Sequence, residues 1–209
     1  MTNVVQDYGW KSTEGTYSFS YLTPMVLDIL KTLNAKRVCD IGSGNGATAG
    51  VLHGAGYYVV GAEYDSNGVK LSQSTYPNIN FYNLGVQDNP QDILDQEGEL
   101  FDVVISTEVI EHLFLPHQLP IFAHKLLVKD GYLVITTPYH GYLKNLVLSL
   151  LNKWDKHHTA LWDGGHIKFW SRATLTQLLE ENGFKVINFK GAGRLPWLWK
   201  SMILIAKKI

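Results

Sequence analysis

Short, near-continuous apolar runs alternate along this chain with segments whose apolar residues recur at helical spacing. YLTPMVLDILKTLN has the helical pattern, with Pro24 in its first turn, and leads into RVCDIGSGNG, a short apolar strand closed by glycines. ATAGVLHGAG then predicts a helix, YYVVGAEYD a second strand ending in acids, SNGVKLSQSTY a helix and NINFYNL a third strand. FDVVIST predicts the fourth strand, LPIFAHKLLV a helix with an apolar face, and GYLVITTPY the fifth strand. Each strand is apolar almost throughout, as a sheet covered on both faces requires, so the alternation predicts an α/β fold with a parallel sheet. The last part of the chain changes character. SRATLTQLLEENGF predicts a helix with a serine cap and a glycine stop, followed by strands over FKVINFKGAG and SMILIAKKI. Their connection is too short to hold a helix, which predicts an antiparallel closing pair.

Between the fifth strand and that helix lies YHGYLKNLVLSLLNKWDKHHTALWDGGH, too long for an ordinary connection and read as a helical insertion over residues 139–166. Its core has a broad apolar stripe with Lys144, Asn152 and Lys153 elsewhere, which suits a lid over a substrate, a packed helix, or a helix lying on a membrane surface. The few basic residues favour the first two. With 209 residues, 45% of them hydrophobic, the chain can bury one sizeable core, so a single domain is expected over 1–209, with an N-terminal segment and first helix over 1–35. A net charge of −1 gives no basic field to attract nucleic acid, and a small-molecule partner is favoured. Cys39 is the single cysteine, in an apolar strand pattern, so no disulfide framework or cysteine metal cluster exists. MTNVVQDYGWKSTEG lacks a secretory pattern and no stretch has the length of a membrane span, so a cytoplasmic protein is expected.

The first chemical motif is VCDIGSGNG. Gly42, Gly44 and Gly46 let the backbone turn sharply and approach a ligand closely. In a dinucleotide fingerprint the third glycine stands one residue later, and here Asp40 precedes the first glycine by two residues. A carboxylate there suits an ammonium group rather than a pyrophosphate. Glu63 ends the next strand, roughly 20 residues on, where a ribose-diol acceptor belongs, and Tyr64 beside it can stack on an adenine. Ribose plus amino acid without phosphate describes S-adenosylmethionine. The second motif is EVIEHL, directly after the fourth strand. If it is helical, Glu108, Glu111 and His112 share one face, which can hold a metal, bind a substrate, or be solvated.

Asp40-Ile-Gly42-Ser-Gly44-Asn-Gly46, Glu63, FDVVISTEVIEHL and GYLVITTP together resemble the class I S-adenosylmethionine-dependent methyltransferases over nearly the whole chain. The resemblance implies a Rossmann-like, seven-stranded, mostly parallel sheet with an antiparallel last strand and helices on both faces. It also implies that Asp40, Gly42, Ser43, Gly44 and Gly46 hold the methionine part of the cofactor, that Glu63 takes the ribose, and that Thr107 and Glu108 line the methionine end. The family's adenine-binding acid is replaced by Gly85 in LGVQD, so backbone near Val86, Gln87 or Asp88 is left for that role.

Within the family, E-x-x-E-H, the insertion and GGHIKFWS resemble the ubiquinone-biosynthesis O-methyltransferases, and the small-RNA 3′-end 2′-O-methyltransferases share the outline, including TTP after the fifth strand. That resemblance implies a divalent metal, Mg among others, held by Glu108, Glu111, His112 and His166 at the substrate hydroxyl. Without metal, His112 serves as general base, with Glu111 beside it. The opposing reading is that acids in a first helical turn complement the helix dipole and need no metal. His157 and His158 are expected to be solvated, and His166 is equally read as a loop histidine bonded to a backbone carbonyl. Tyr139, Tyr142, Trp154 and Trp162 make the insertion aromatic, suiting a flat or greasy acceptor, although packing explains each singly. Tyr8, Trp10, Tyr17 and Phe19 are candidates for a cap over the cofactor, and Arg194, Trp197 and Trp199 for a loop closing the acceptor pocket or a dimer contact. The expected activity is methyl transfer from S-adenosylmethionine to a small molecule, most readily to oxygen. Its rivals are RNA 3′-end methylation, a non-catalytic cofactor-binding protein, and a nicotinamide dehydrogenase.

Overall fold

The computed structural model describes residues 9–158, 161, 162 and 164–209. Seven strands form one sheet: β1 (Arg37–Ile41), β2 (Tyr58–Ala62), β3 (Asn80–Tyr82), β4 (Phe101–Thr107), β5 (Leu127–Pro138), β6 (Phe184–Ala192) and β7 (Ser201–Lys208). Their order is β3-β2-β1-β4-β5-β7-β6. The first five pair in parallel, while β7 runs antiparallel between β5 and β6. The sheet is therefore the expected one, closing pair included.

Strand alternation explains why each run is apolar throughout. Val103 and Ile105 of β4 join one apolar cluster, Phe101 and Val104 the other, and all four are fully buried. The first cluster receives Leu22, Val26, Ile29 and Leu30 of α1 (Phe19–Thr32), Leu52 of α2 (Ala47–Gly54) and Val69 of α3 (Ser66–Thr75). The second receives Ile93 of α4 (Gln91–Glu97), Leu119, Phe122 and Leu126 of α5 (Gln118–Leu126), and Leu175 and Leu179 of α8 (Arg172–Glu181). Helices thus cover both faces. Ser171 and Thr174 form a reciprocal capping box that starts α8 where the sequence places it.

Some elements differ from expectation. α1 begins at Phe19, so Pro24 falls in its second turn. α4 is absent from the sequence reading because Ile93 is its one buried residue, too little to set a period. β5 starts before Gly131, turning at Asp130 with φ +63. EVIEHL is not a helix: Ile110–His112 form a single 3-10 turn, and Glu108 precedes it with φ +55, in the left-handed region. The three side chains therefore do not share a helix face. The insertion holds two short helices, α6 (Tyr142–Leu150) and α7 (Trp154–His158). Among the described residues no helix is long and apolar enough to cross a membrane.

Candidate active site

At the carboxyl end of β1 the chain leaves the sheet through Gly42, Gly44 and Gly46, with φ of +73, +56 and +78. These are left-handed conformations that L side chains rarely adopt. The N–H groups of Gly42 and Ser43 both donate to the carbonyl of Ala62, at 2.8 and 3.2 Å, tying the loop to the end of β2. Glu63, next in β2's line, braces it from the other side. Its Oε2 accepts from the Gly44 N–H at 2.7 Å and its Oε1 from the Asp65 N–H at 2.8 Å. Burial raises the Glu63 pKa, while these backbone donors hold it down.

Asp40 stands behind the loop, buried, with neither carboxylate oxygen bonded to any described group. Burial first, and the charge of Glu63 second, push its pKa up to about 7. A buried orphan carboxylate is costly unless a cation meets it, so the position suits an ammonium group. The Ser43 hydroxyl is also buried without a partner.

Of the cap candidates, Tyr8 lies outside the described residues and Trp10 lies on the loop. A β-carbon at Gly44 would stand 2.6 Å from Trp10 Cζ2, and one at Gly68 of α3 would stand 3.0 Å from Trp10 Cδ1. The Asn45 side chain holds the same segment by donating to the carbonyls of Ser12 and Glu14, at 2.8 and 2.9 Å. Tyr17 is exposed and receives the Lys200 ammonium, both on its hydroxyl and over its ring. Phe19 opens α1, packed on Gly15. At the positions expected to meet adenine, Tyr64 is exposed, Val86 packs on the core, and Asp88 Oδ2 accepts from the Gly85 N–H at 2.7 Å, closing a tight turn around Gly85.

The second group assembles where β4, β5 and β7 meet. Thr136 Oγ1 donates to Glu108 Oε1 at 2.9 Å, and Thr137 Oγ1 donates to Glu111 Oε2 at 3.0 Å. Successive strand residues face opposite sides, so these neighbouring threonines hold the two glutamates apart. Glu108 also accepts from Ser201 at 3.1 Å, and its N–H bonds Thr136 across from Thr107, the last residue of β4. Burial raises the Glu108 pKa to about 7, with those hydroxyls and Lys144 pulling it down.

Glu111 is buried, its Oε1 has no partner among the described groups, and burial together with the Glu108 charge raises its pKa well above the carboxylate range. The Glu111 carbonyl accepts from the N–H groups of Ile167 and Lys168, at 2.9 and 3.0 Å, which draws the end of the insertion onto the turn. The Gly164 carbonyl accepts from His112 Nδ1 at 2.7 Å. His166 thereby comes to rest with its ring 4.9 Å from that of His112. One ligand-capable atom each from Glu111, His112 and His166 lies within 4.8 Å of the others. Glu108 stands outside this set. Burial lowers the pKa of both imidazoles, that of His166 to about 4 with His112 adding to the effect, so neutral rings are available to accept a proton or hold a cation.

Other expectations divide. His157 and His158 are half-buried rather than solvated: His158 lies 4.1 Å from the Trp154 ring and stacks on His140 at 5.6 Å. Tyr139 packs edge-on to Trp199 at 5.1 Å, while Tyr142 is 84% exposed. Thr136, Thr137 and Ser201 escaped the sequence reading as functional positions, although TTP ending a buried strand is a visible signal: hydroxyls there need partners. A surface hollow of about 870 Å³ between α8 and β6, lined by Arg172, Thr176, Glu180 and Val186, contains none of these groups.

The methyltransferase-domain family matches residues 16–188. The chain is 28% identical over 171 residues to a ubiquinone biosynthesis O-methyltransferase of Roseobacter denitrificans, covering 78% of this chain and 66% of that protein's length. Among solved structures, magnesium protoporphyrin IX methyltransferase from Synechocystis PCC 6803 with bound S-adenosylhomocysteine has a TM-score of 0.67 at 20% identity, covering 90% of this chain and 82% of that one. The 1,6-didemethyltoxoflavin N1-methyltransferase of Burkholderia thailandensis has a TM-score of 0.63 at 16% identity, covering 88% and 76%. At such identities the structural likeness speaks to fold alone.

Proposed function

The chain belongs to the methyltransferase-domain family, of the class I S-adenosylmethionine-dependent kind, and on that premise we propose that it methylates a hydroxyl oxygen of a small, flat and largely apolar acceptor. The observation carrying the oxygen reading is the trio of buried Glu111 and half-buried His112, just after β4, with half-buried His166 at the end of the insertion. A hydroxyl is a poor nucleophile at neutral pH until its proton is taken. The bond from His112 Nδ1–H to the Gly164 carbonyl selects the tautomer whose Nε2 carries the lone pair, as a general base requires. Glu111, with an unpartnered buried oxygen, orients that proton's route.

Asp40 would take the cofactor's ammonium, Glu63 its ribose diol, and the Gly42–Gly46 turn with Ser43 would admit the methionine part closely. Bound there, the cofactor supplies an electrophilic methyl group. The protein contributes alignment and exclusion of water, with Trp10 over the loop and the insertion as lid. The same trio also fits a divalent cation: the orphan Glu111 oxygen and two neutral imidazoles are its donor set, suited to Zn, Mn or Fe as much as to Mg. Such a cation would lower the hydroxyl's pKa.

The test incubates metal-stripped protein with S-adenosylmethionine and a panel of catechols and aromatic amines, with and without Mg or Zn, and identifies products by mass spectrometry. Methyl ethers are expected. Methylamines alone would remove the oxygen reading, and failure of S-adenosylhomocysteine to bind in calorimetry would remove the cofactor reading.

A further inference from the structure

Glu63 carries the ribose reading, yet the chain covers this residue itself, leaving 7% of it exposed. Its side chain lies between two glycines: Oε2 accepts from the Gly44 N–H at 2.7 Å, and a β-carbon at Gly68 of α3 would stand 3.3 Å from Glu63 Cγ. The Trp10 indole spans the same two glycines. A β-carbon at Gly44 would meet its Cζ2 and Cη2 at 2.6 and 3.0 Å, and one at Gly68 would meet its Cδ1 at 3.0 Å. The ring therefore fits a slot that exists because neither residue has a side chain. Gly68 stands inside a helix, where glycine is a poor helix former. There its bareness admits two close neighbours at once, the indole and the Gly44 carbonyl, which a β-carbon would meet at 2.8 Å.

Beyond Trp10 the segment is tied down step by step. Asn45 Nδ2 donates to the carbonyls of Ser12 and Glu14 at 2.8 and 2.9 Å, the Lys200 ammonium meets Tyr17, and the Tyr21 hydroxyl bonds Ser201 Oγ at 3.0 Å. Asn45 is itself a buried member of the glycine loop, and its Oδ1 accepts from the Ala47 N–H at 3.2 Å. Trp10 precedes these fastenings, and its ring holds the slot by packing. Asn45 is thus the point about which the ring can lift, and it ties the strap to the loop that receives the ligand.

We propose that Trp10 gates the cofactor site: its indole stands in the approach to the Glu63 carboxylate, and the ribose reaches its seat when the strap pivots about Asn45 and the ring lifts out of the Gly44–Gly68 slot. This rests on the S-adenosylmethionine reading and adds how the cofactor enters. Entry is then a population shift. The cofactor binds those molecules whose ring is lifted, so its association is slowed by the fraction in which the ring is down.

The experiment measures association and dissociation of S-adenosylhomocysteine on the immobilised full chain by surface plasmon resonance, for the parent and three variants. Trp10→Ala should raise the association rate constant about tenfold or more, the factor for a ring lifted in roughly one molecule in ten. Trp10→Phe should fall between the two, because a smaller ring still lies on both glycines. Asn45→Asp keeps an oxygen for the Ala47 N–H but loses both donors to the strap, so it should speed association with the indole intact. A tryptophan that merely walls the bound cofactor, without standing in its path, would leave association unchanged and speed dissociation alone. That result, or slower association in Trp10→Ala, overturns the gate. Should Trp10→Ala fail to fold, Trp10→Phe and Asn45→Asp decide. Binding with unchanged association rates sinks the gate alone, whereas no binding by the parent or any folded variant sinks the cofactor reading and the gate with it.

Discussion

The two ends of this site are built by different means. Around Asp40 and Glu63 most of the work is done within one β1–α2–β2 unit, by backbone N–H groups on a loop whose glycines set its path, and the donors to the Glu63 side chain lie 19 and 2 residues away. Around Glu111 the partners come from distant parts of the chain: Thr137 lies 26 residues away, Gly164 lies 52 from His112, and Ser201 lies 93 from Glu108. Locally built sites tolerate change elsewhere in the chain; sites assembled across strands depend on the packing of all of them. The contrast implies that cofactor affinity and acceptor chemistry can be damaged separately.

The largest effect expected is at Glu111. Glu111→Gln keeps an oxygen for Thr137 but cannot give up a proton to become a carboxylate ligand for a cation or a counter-charge to the protonated His112, so methyl transfer should fall about 10²–10³-fold. Binding of S-adenosylhomocysteine, followed by calorimetry, should hold. A parallel loss of affinity would mean that the two ends are one cooperative unit.

Glu63→Gln comes next and acts at the other end. The carboxylate faces two N–H donors, from Gly44 and Asp65, so an amide must turn its NH₂ toward one of them. Loss of a charge-assisted bond of this kind costs about 1.5–3 kcal/mol, so the S-adenosylhomocysteine dissociation constant should rise roughly 10–100-fold. The rate at saturating cofactor should change little. A collapse of that rate would show that the glycine loop positions the acceptor as well.

The same contrast explains what the sequence reveals. Asp40, the glycines and Glu63 are legible because their spacing within one βαβ unit is itself the structure. β7 is legible because the link from β6 cannot hold a crossover helix. EVIEHL is not: helical periodicity puts Glu108, Glu111 and His112 together, whereas the left-handed Glu108 sends its side chain to Thr136 and Ser201. Nor can periodicity show that Lys144 turns inward to two carbonyls, or that the His158 ring packs tilted against Trp154. Those contacts are made by residues whose proximity only the finished sheet creates.

The cofactor end can also be tested through stability rather than activity. Asp40 is held protonated up to about 7, against 3.8 for an ordinary aspartate, by burial and by the charge of Glu63. Below pH 3.8 both folded and unfolded chains carry the proton and nothing is lost. As pH rises from there to about 7 the unfolded chain releases its proton while the folded chain keeps it, so stability falls across that window and stays lowered above it. The full penalty is on the order of 4 kcal/mol. Asp40→Asn does not titrate, so its Tm should exceed the parent's by about 5 °C or more at pH 8, where each kcal/mol is worth roughly 2–4 °C in a chain of this size. Nearer pH 4 the two should melt together. Saturating S-adenosylhomocysteine should reverse the order at pH 8, because its ammonium supplies the counter-ion that only the carboxylate can use. If the variant gains stability equally with and without the ligand, Asp40 does not meet the ammonium, and the cofactor end is held by Glu63 and the loop alone.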